Sequence, residues 1–238
     1  MTQQNSFGAR ALGVLLDPTT TFDEIAAQPN YWGPLIVLMA GSVALTETLT
    51  SKIGIRNIIL RSLHQSGQAR HMTPEQLDQA LRNATAVAHV LTPVGAVVGP
   101  PIFLALAAGV GLLILRGIFG AQASFKTIFS VTCYAALPTV IGDLMGMAVL
   151  LFGDLSRLNP QSPIPTSLGF FLDSASTPRP LYALASSLDL LTFWFLALVA
   201  VGLSRASRGQ VKAKTIFAIY FGIWLVLTLG KMGLAWLA

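Results

Sequence analysis

Residues 127–152 read TIFSVTCYAALPTVIGDLMGMAVLLF, an apolar run whose only charged residue is Asp143. A helix of about 20 apolar residues is long enough to cross the hydrocarbon core of a bilayer. In lipid the backbone amides must be paired within the protein, so only helices and closed barrels can span it. Barrel strands alternate apolar and polar residues, and this run does not alternate. It therefore predicts a transmembrane helix.

The rest of the chain repeats this pattern. Hydrophobic residues make up 53% of the sequence and charged residues 11%, whereas soluble domains have about 25% charged residues. The mean hydropathy is +0.67. We predict one all-α domain over residues 1–238, a polytopic membrane protein with five transmembrane helices and amphipathic interfacial helices. The spans are predicted at about residues 33–50, 90–115, 127–152, 187–204 and 215–237.

The N-terminal segment, residues 1–30, predicts two short amphipathic helices. Phe7, Ala11 and Val14 share one face of the first helix, and Asp17–Pro18 ends that helix and starts the second. Amphipathic helices of this kind lie at the surface of a membrane. We therefore expect both helices in the membrane interface.

Prolines and capping residues predict other helix ends. Thr73–Gln76 reads TPEQ, in which a Thr N-cap, a Pro at the first helical position and a Gln three residues after the cap form a helix start. Pro100–Pro101 and Pro138 are expected to kink or break the second and third spans. The apolar piece Ser167–Leu172, between the third and fourth spans, is expected to form a half-buried or re-entrant cap.

The basic residues of the short loops predict the orientation of the chain. Arg116 and Lys126 flank the connection between the second and third spans. The basic residues of the connection between the fourth and fifth spans are Arg205, Arg208, Lys212 and Lys214. Placing these loops in the cytoplasm puts the N-terminus inside and the C-terminus outside. The four residues of the last loop are expected to contact a lipid surface, since anionic lipids attract such clusters.

Four ionisable residues lie in four different predicted spans: Glu47, Asp143, Asp189 and Lys231. Ionisable groups at membrane depth are costly and usually face the interior of a bundle. Each lies about 14 to 16 residues from the cytoplasmic end of its span, roughly 21–24 Å into a core of roughly 30 Å. They are therefore expected to form one polar layer in the outer half of the bundle.

This polar layer has three interpretations. In the structural one, Lys231 pairs with Asp143, Asp189 caps its helix and Glu47 reaches the outer interface. In the functional one, the layer lines a cavity for a proton, an ion or a lipid head group. In the third, the four residues are scattered interfacial groups that share a depth by coincidence.

No catalytic, cofactor or metal site is predicted, and we expect a protein that is not an enzyme. Two aspartates in separate spans, Asp143 and Asp189, would suit an intramembrane aspartyl protease, in which two carboxyl groups share a proton. However, Val140 stands where that family has its first glycine, and Lys231 would compete for the charge. The histidines are too scattered in the sequence for a set of metal ligands.

The expected partners follow from the same residues. Gly95–Gly99 and Gly142–Gly146 have the spacing that lets membrane helices approach closely. We expect contacts with membrane lipids, and a second copy of the chain or an unidentified protein as further partners. Nucleic acid is not expected, because basic and aromatic residues do not interleave.

Several short pieces, in their order and spacing, resemble the Yip family of five-span membrane proteins, and in particular its prokaryotic branch. The family is named for interaction with Ypt/Rab-type GTPases. These pieces are Pro18 with Phe22–Ile25, Pro29 with Trp32 and Pro34, Gly120 with Ser124–Lys126, Tyr134–Pro138, Ser186–Asp189, Trp194 and Gly202–Leu203. The resemblance covers nearly the whole chain. It implies an integral membrane protein of a bacterial cytoplasmic membrane, with no known catalytic residues.

Two hypotheses for the function follow. The first is an interaction or membrane-organising protein, which would use its cytoplasmic loop and N-terminal helices. The second is a small transporter or lipid-translocating protein, which would use the polar layer.

The predicted orientation can be tested with reporter fusions. A reporter fused after Ala238 should lie outside the cytoplasm, and one inserted near Gly209 should lie inside, because basic residues crowd the short loop around Gly209. A pair of reporters, one active only in the cytoplasm and one only outside it, measures both positions. Finding both positions in the same compartment would remove the fifth span from this topology.

Overall fold

The computed structural model describes residues 6–65, 67–155, 162–173 and 176–237, and this part of the chain is predominantly helical. The α-helices in chain order are α1 (Phe7–Leu16), α2 (Pro18–Ala27), α3 (Trp32–Ile53), α4 (Ile55–Gln65), α5 (Pro74–Leu112), α6 (Phe125–Ala135), α7 (Pro138–Phe152), α8 (Arg179–Ser187), α9 (Leu190–Ala206) and α10 (Ala213–Leu237).

Among the described residues, four helical segments are long and apolar enough to cross a membrane. They are Trp32–Ile53, Pro74–Ile118, Phe125–Phe152 and Ala213–Trp236. These segments correspond to the first, second, third and fifth predicted spans. The fourth predicted span corresponds to α9, which is apolar and has 17 residues. The protein is therefore an all-α, polytopic membrane protein, and the predicted fold class is confirmed.

The two proline sites differ in their effect. Pro138 separates α6 from α7, and the Thr139 hydroxyl donates to the Ala136 carbonyl at 2.8 Å within the interruption. By contrast, α5 passes through Pro100–Pro101 without interruption. Of the expected kink or break, the break is therefore absent. The irregularity of this helix lies at its end, where residues Leu113–Ile118 form a π-helix.

The structure also corrects the start of the fourth span. The apolar run before it forms α8, and the chain leaves the helix at Leu188–Asp189 before α9 begins at Leu190. At this interruption the backbone pairs with a distant loop. Leu168 donates its N–H to the Leu188 carbonyl at 3.0 Å, and Leu190 donates to the Thr166 carbonyl at 3.1 Å.

The chain divides into two compact units. The first unit comprises Met1–Ala40, Val98–Ile141 and Leu191–Leu225. Val14 of α1 and Phe22 and Ile25 of α2 are fully buried in its core. The N-terminal helices therefore pack on other helices through their predicted apolar faces. The Asp17 carboxylate accepts the N–H of Thr20 at 3.4 Å and begins α2.

The second unit comprises Gly41–Val97, Gly142–Leu190 and Val226–Ala238. Its buried cluster is centred on Ile53 and Leu150, with Phe170 packed against it. The predicted capping box is confirmed: Gln76 accepts the N–H of Thr73 at 2.9 Å, and Thr73 accepts the N–H of Gln76 at 3.3 Å. The predicted half-buried cap is a 3₁₀ turn over Leu168–Phe171.

The two glycine pairs differ in how closely a neighbouring helix approaches them. A Cβ at Gly146 would lie 3.1 Å from Leu45 Cδ1, so that α3 and α7 are in close contact there. Gly95 and Gly99 of α5 have open space where their side chains would be. The close approach expected at Gly95 and Gly99 is therefore absent among the described residues.

Candidate functional site

The connection between α9 and α10 is a tight turn held by side chains. The Ser204 hydroxyl donates to the Val211 carbonyl at 2.7 Å, and the Val211 N–H donates to the Ser207 hydroxyl at 3.3 Å. Val211 is buried. Arg208 and Gly209 follow one another with φ values of 53° and 76°, a left-handed conformation that a non-glycine residue such as Arg208 adopts only at some cost. The turn therefore has a defined shape.

The basic side chains project from this turn. All four are exposed, and we call them the basic turn: Arg205, Arg208, Lys212 and Lys214. One of them contacts the N-terminal helices, since Arg205 Nη1 lies 3.6 Å from Asp23 Oδ2. An exposed ion pair of this kind contributes little to stability. The burial of Val211 beneath exposed charges gives the turn a basic surface that is fixed to the core of the first unit.

The connection between α5 and α6 has a similar character. Arg116 and Lys126 are exposed, and so are three large apolar side chains: Ile118 at 66%, Phe119 at 43% and Phe125 at 45%. Exposed apolar groups beside basic ones suit a membrane surface. The two charges of this connection are evident in the sequence, but the exposure of its apolar residues is not, because a short loop has no periodicity that would indicate it.

The first unit is the more basic one. Its acidic residues are Asp17, Asp23 and Glu24, and its basic residues are Arg10, Arg116, Lys126, Arg205, Arg208, Lys212 and Lys214. In the second unit the two signs are nearly balanced. Most of the net positive charge of the protein therefore belongs to the first unit.

Among the residues of the predicted polar layer, Asp143 has the most unusual surroundings, because a glycine of another helix lies against its carboxyl group. It lies on α7 and is partly buried against α3, because a Cβ at Gly41 would be only 2.7 Å from Asp143 Oδ2. The missing side chain of Gly41 thus leaves the space that the carboxyl group occupies. Among the described residues, Asp143 takes part in no ion pair.

Asp189 lies at the interruption between α8 and α9. Its carboxylate accepts a hydrogen bond from the Thr166 hydroxyl at 2.5 Å, and its backbone forms an isolated bridge with Ser167. Ser167 and Ser162 are buried and share a hydrogen bond of 2.9 Å between their hydroxyls. Asp189 therefore ties the loop before α8 to the start of α9.

The remaining two residues of the polar layer, Glu47 and Lys231, are exposed. In the part of the chain that the structure describes, no ion pair joins Lys231 to Asp143. The predicted pairing is therefore wrong. The four residues belong to the same unit, but no hydrogen bond or ion pair among the described residues joins any two of them.

The helical architecture and the absence of regular strands among the described residues define a polytopic α-helical membrane protein. The Yip1 domain matches residues 12–233, and the chain belongs to the Yip1 domain family. It is similar to the membrane protein YknW of Bacillus subtilis (strain 168), with 23% identity over 218 residues that cover 91% of this chain and 87% of the relative. No solved structure matches it. The predicted family is thus confirmed, and it is not a known family of enzymes.

The contact between Gly41 and Asp143 leads to a prediction about stability. Gly41→Ala should lower the melting temperature in detergent, because the new Cβ would press on the Asp143 carboxyl group, and overpacking of this kind typically costs about 1–3 kcal/mol. In the Asp143→Ala background the same substitution should be nearly harmless, since the carboxyl group is gone. Thermal unfolding of the two single variants and the double variant measures this coupling.

Gly230→Ala is the matched control, because Gly230 belongs to the same unit and has nothing within 4 Å of its absent side chain. It should be neutral or slightly stabilising, as alanine is the better helix former. Strictly additive effects of Gly41→Ala and Asp143→Ala would show that the two residues do not press on each other.

Proposed function

We propose that this protein is a non-enzymatic interaction or membrane-organising protein, and that its working surface is the basic turn together with the α5–α6 connection. The observation that carries this proposal is that the basic turn combines a fixed backbone with exposed charges. Its backbone is fixed by Ser204, Ser207 and the buried Val211, while its charges are left exposed. The turn therefore presents its charges at defined positions.

The expected partner of this surface is the anionic lipid of the cytoplasmic leaflet. Each Lys or Arg near such a surface contributes about 1 kcal/mol of attraction. The exposed Phe119 and Phe125 would insert beside the head groups, where aromatic residues are enriched. By gathering acidic lipids around the first unit, the protein would organise its own bilayer, and this face would lie in the cytoplasm.

A second candidate function is transport of an ion or translocation of a lipid. The observation that favours it is Asp143, an ionisable residue inside a spanning helix with no ion pair among the described residues. Such a residue marks a substrate path more often than a surface charge does. Asp189 supports this candidate less, because its carboxylate is engaged by Thr166.

The lipid preference can be measured by fluorescence quenching with brominated lipids. Trp32 lies in the first unit and is 61% exposed, and Trp236 lies in the second unit and is 78% exposed. In liposomes, a variant with Trp32 as its single tryptophan should be quenched more by brominated phosphatidylglycerol than by brominated phosphatidylcholine. A variant with Trp236 alone should show a smaller difference.

Replacing the basic turn by four glutamines should reduce the phosphatidylglycerol preference at Trp32 by at least severalfold, since each charge contributes about 1 kcal/mol, which is roughly a fivefold effect. The matched control removes the same number of exposed charges from the second unit, through Lys52, Arg56, Arg70 and Arg82. It should leave the preference at Trp32 unchanged. An equal loss in both quadruple variants, or no preference in the wild type, would contradict a specific role for the basic turn.

The transport candidate has its own test in reconstituted liposomes. Proton flux, cation flux and lipid scrambling are compared between the wild type and Asp143→Asn, which keeps the shape of the side chain and removes its charge. If the second candidate is correct, one of these activities is present in the wild type and falls by about tenfold or more in the variant. Wild-type liposomes that are as tight as empty ones would eliminate it.

A further inference from the structure

Among the described residues, Arg10 is the most deeply buried charged side chain. It belongs to α1 and is 8% exposed, and within the described residues no other charged side chain is buried to this degree. A guanidinium keeps its charge at any physiological pH and offers five N–H donors. Burial of a charge is costly unless an opposite charge and acceptors compensate it. The surroundings of Arg10 therefore have to explain how it is tolerated.

Those surroundings compensate the charge only in part. Arg10 Nη1 donates to the carbonyl oxygen of Gln28 at 3.1 Å, at the C-terminus of α2. The end of a helix carries a partial negative charge of about half a unit. Arg10 Nε is buried and has no acceptor, and no ion pair within the described residues includes Arg10. A full positive charge thus faces two neutral acceptors, the Gln28 carbonyl group and the Tyr134 hydroxyl, and a partial helix charge.

The side chain beside Arg10 is Tyr134 of α6, which is buried and lies where its hydroxyl can accept a hydrogen bond from the guanidinium. Its hydroxyl can donate a hydrogen bond. Phe7 of α1 packs on the Tyr134 ring with the ring centroids 6.2 Å apart. The arrangement places a guanidinium edge and a phenol hydroxyl next to each other, with an aromatic wall beside them.

The hydrogen-bond donors at this edge of the Arg10 guanidinium indicate which kind of ligand could bind. A guanidinium pairs best with an oxyanion that accepts two parallel hydrogen bonds, as phosphates and carboxylates do. Phe7 also packs against Gly33, at the start of α3, and the neighbouring Trp32 is 61% exposed. Exposed tryptophans are enriched at the depth of lipid head groups. A phosphate group is therefore the better candidate at this position.

We propose that Arg10 and Tyr134 form a binding site for a phosphate group between α1, α2 and α6. The Nε edge of Arg10 donates to the phosphate oxygens, and the Tyr134 hydroxyl donates the next hydrogen bond. Because Nε is covered in this structure, α1 moves away from α6 as the anion enters. The phosphate comes from a phospholipid head group or from solution. The site uses no residue of the basic turn, so that its test does not depend on the proposed function.

Thermal unfolding of the purified protein in detergent tests the site with defined probes. These are dioctanoyl phosphatidic acid, dioctanoylglycerol with the same chains and no phosphate, and sodium phosphate against sodium chloride at equal ionic strength. Phosphatidic acid should raise the melting temperature more than dioctanoylglycerol does. A matching effect of sodium phosphate shows that the free anion is sufficient, and its absence assigns the site to the lipid head group.

The variants separate this site from a purely structural role of Arg10. Arg10→Gln should weaken the apparent affinity for the phosphate probe by about tenfold or more, since hydrogen bonds to charged groups are the strong ones. Arg10→Lys keeps the charge but lacks the planar, parallel N–H donors of the guanidinium, and it should bind weakly as well. Arg70→Gln removes an exposed charge of the second unit and should bind as the wild type does.

Two measurements keep the proposal testable if Arg10→Gln does not fold. Tyr134→Phe should bind the probe more weakly with little effect on folding, because it removes only a hydroxyl group. In the wild type, the phosphate probe should also speed hydrogen exchange of the amides of α1, because α1 moves away from α6 as the anion enters. The proposal is overturned if the wild type shows no phosphate-dependent stabilisation, or if Arg10→Gln and Arg10→Lys are stabilised as much as the wild type.

Discussion

Backbone groups that leave a helix within an apolar chain must find other partners, because lipid offers none. This constraint explains where the irregular parts of the structure lie and what surrounds them. At Pro138 the interruption is short, and Thr139 supplies a hydroxyl to the Ala136 carbonyl. At Leu188–Asp189 the interruption is longer, and the loop around Thr166 and Ser167 supplies backbone partners and a hydroxyl. The proline-rich loop before α8 is therefore needed to complete the start of α9.

The same loop explains why Asp189 was hard to interpret from the sequence. Its depth in an apolar run suggested a member of a polar layer, and the structural interpretation made it the cap of its helix. It stands directly before α9, but its carboxylate also accepts the Thr166 hydroxyl from far along the chain. No spacing in the sequence shows that contact. A pairing between a loop and a helix interruption depends on tertiary structure, whereas the apolar runs depend only on composition.

The elements that were predicted correctly have local causes. The capping box at Thr73–Gln76 and the helix start at Asp17–Pro18 are each complete within a few residues. The break at Pro138 was predicted as well, but the one at Pro100–Pro101 was not found. A proline removes one N–H and crowds the preceding turn, yet neighbouring groups can satisfy the freed carbonyl in a membrane helix. The outcome at a given proline thus depends on neighbours that the sequence does not reveal.

The charged residues fall into two groups, those of the predicted polar layer and those of the basic turn with Arg10, and the difference between the groups is relevant to function. Depth along a helix did not predict which charges meet: Lys231 and Glu47 are exposed, and Asp143 lies against a glycine instead of a cation. Depth gives the height of a residue in its span, but the direction of its side chain depends on helix rotation, which weakly amphipathic spans leave undefined. The basic turn and Arg10, by contrast, are each fixed by hydrogen bonds to the backbone of their own unit. Positive charge held in place at a defined site favours recognition of an anion at the membrane surface over movement of a substrate through the bundle.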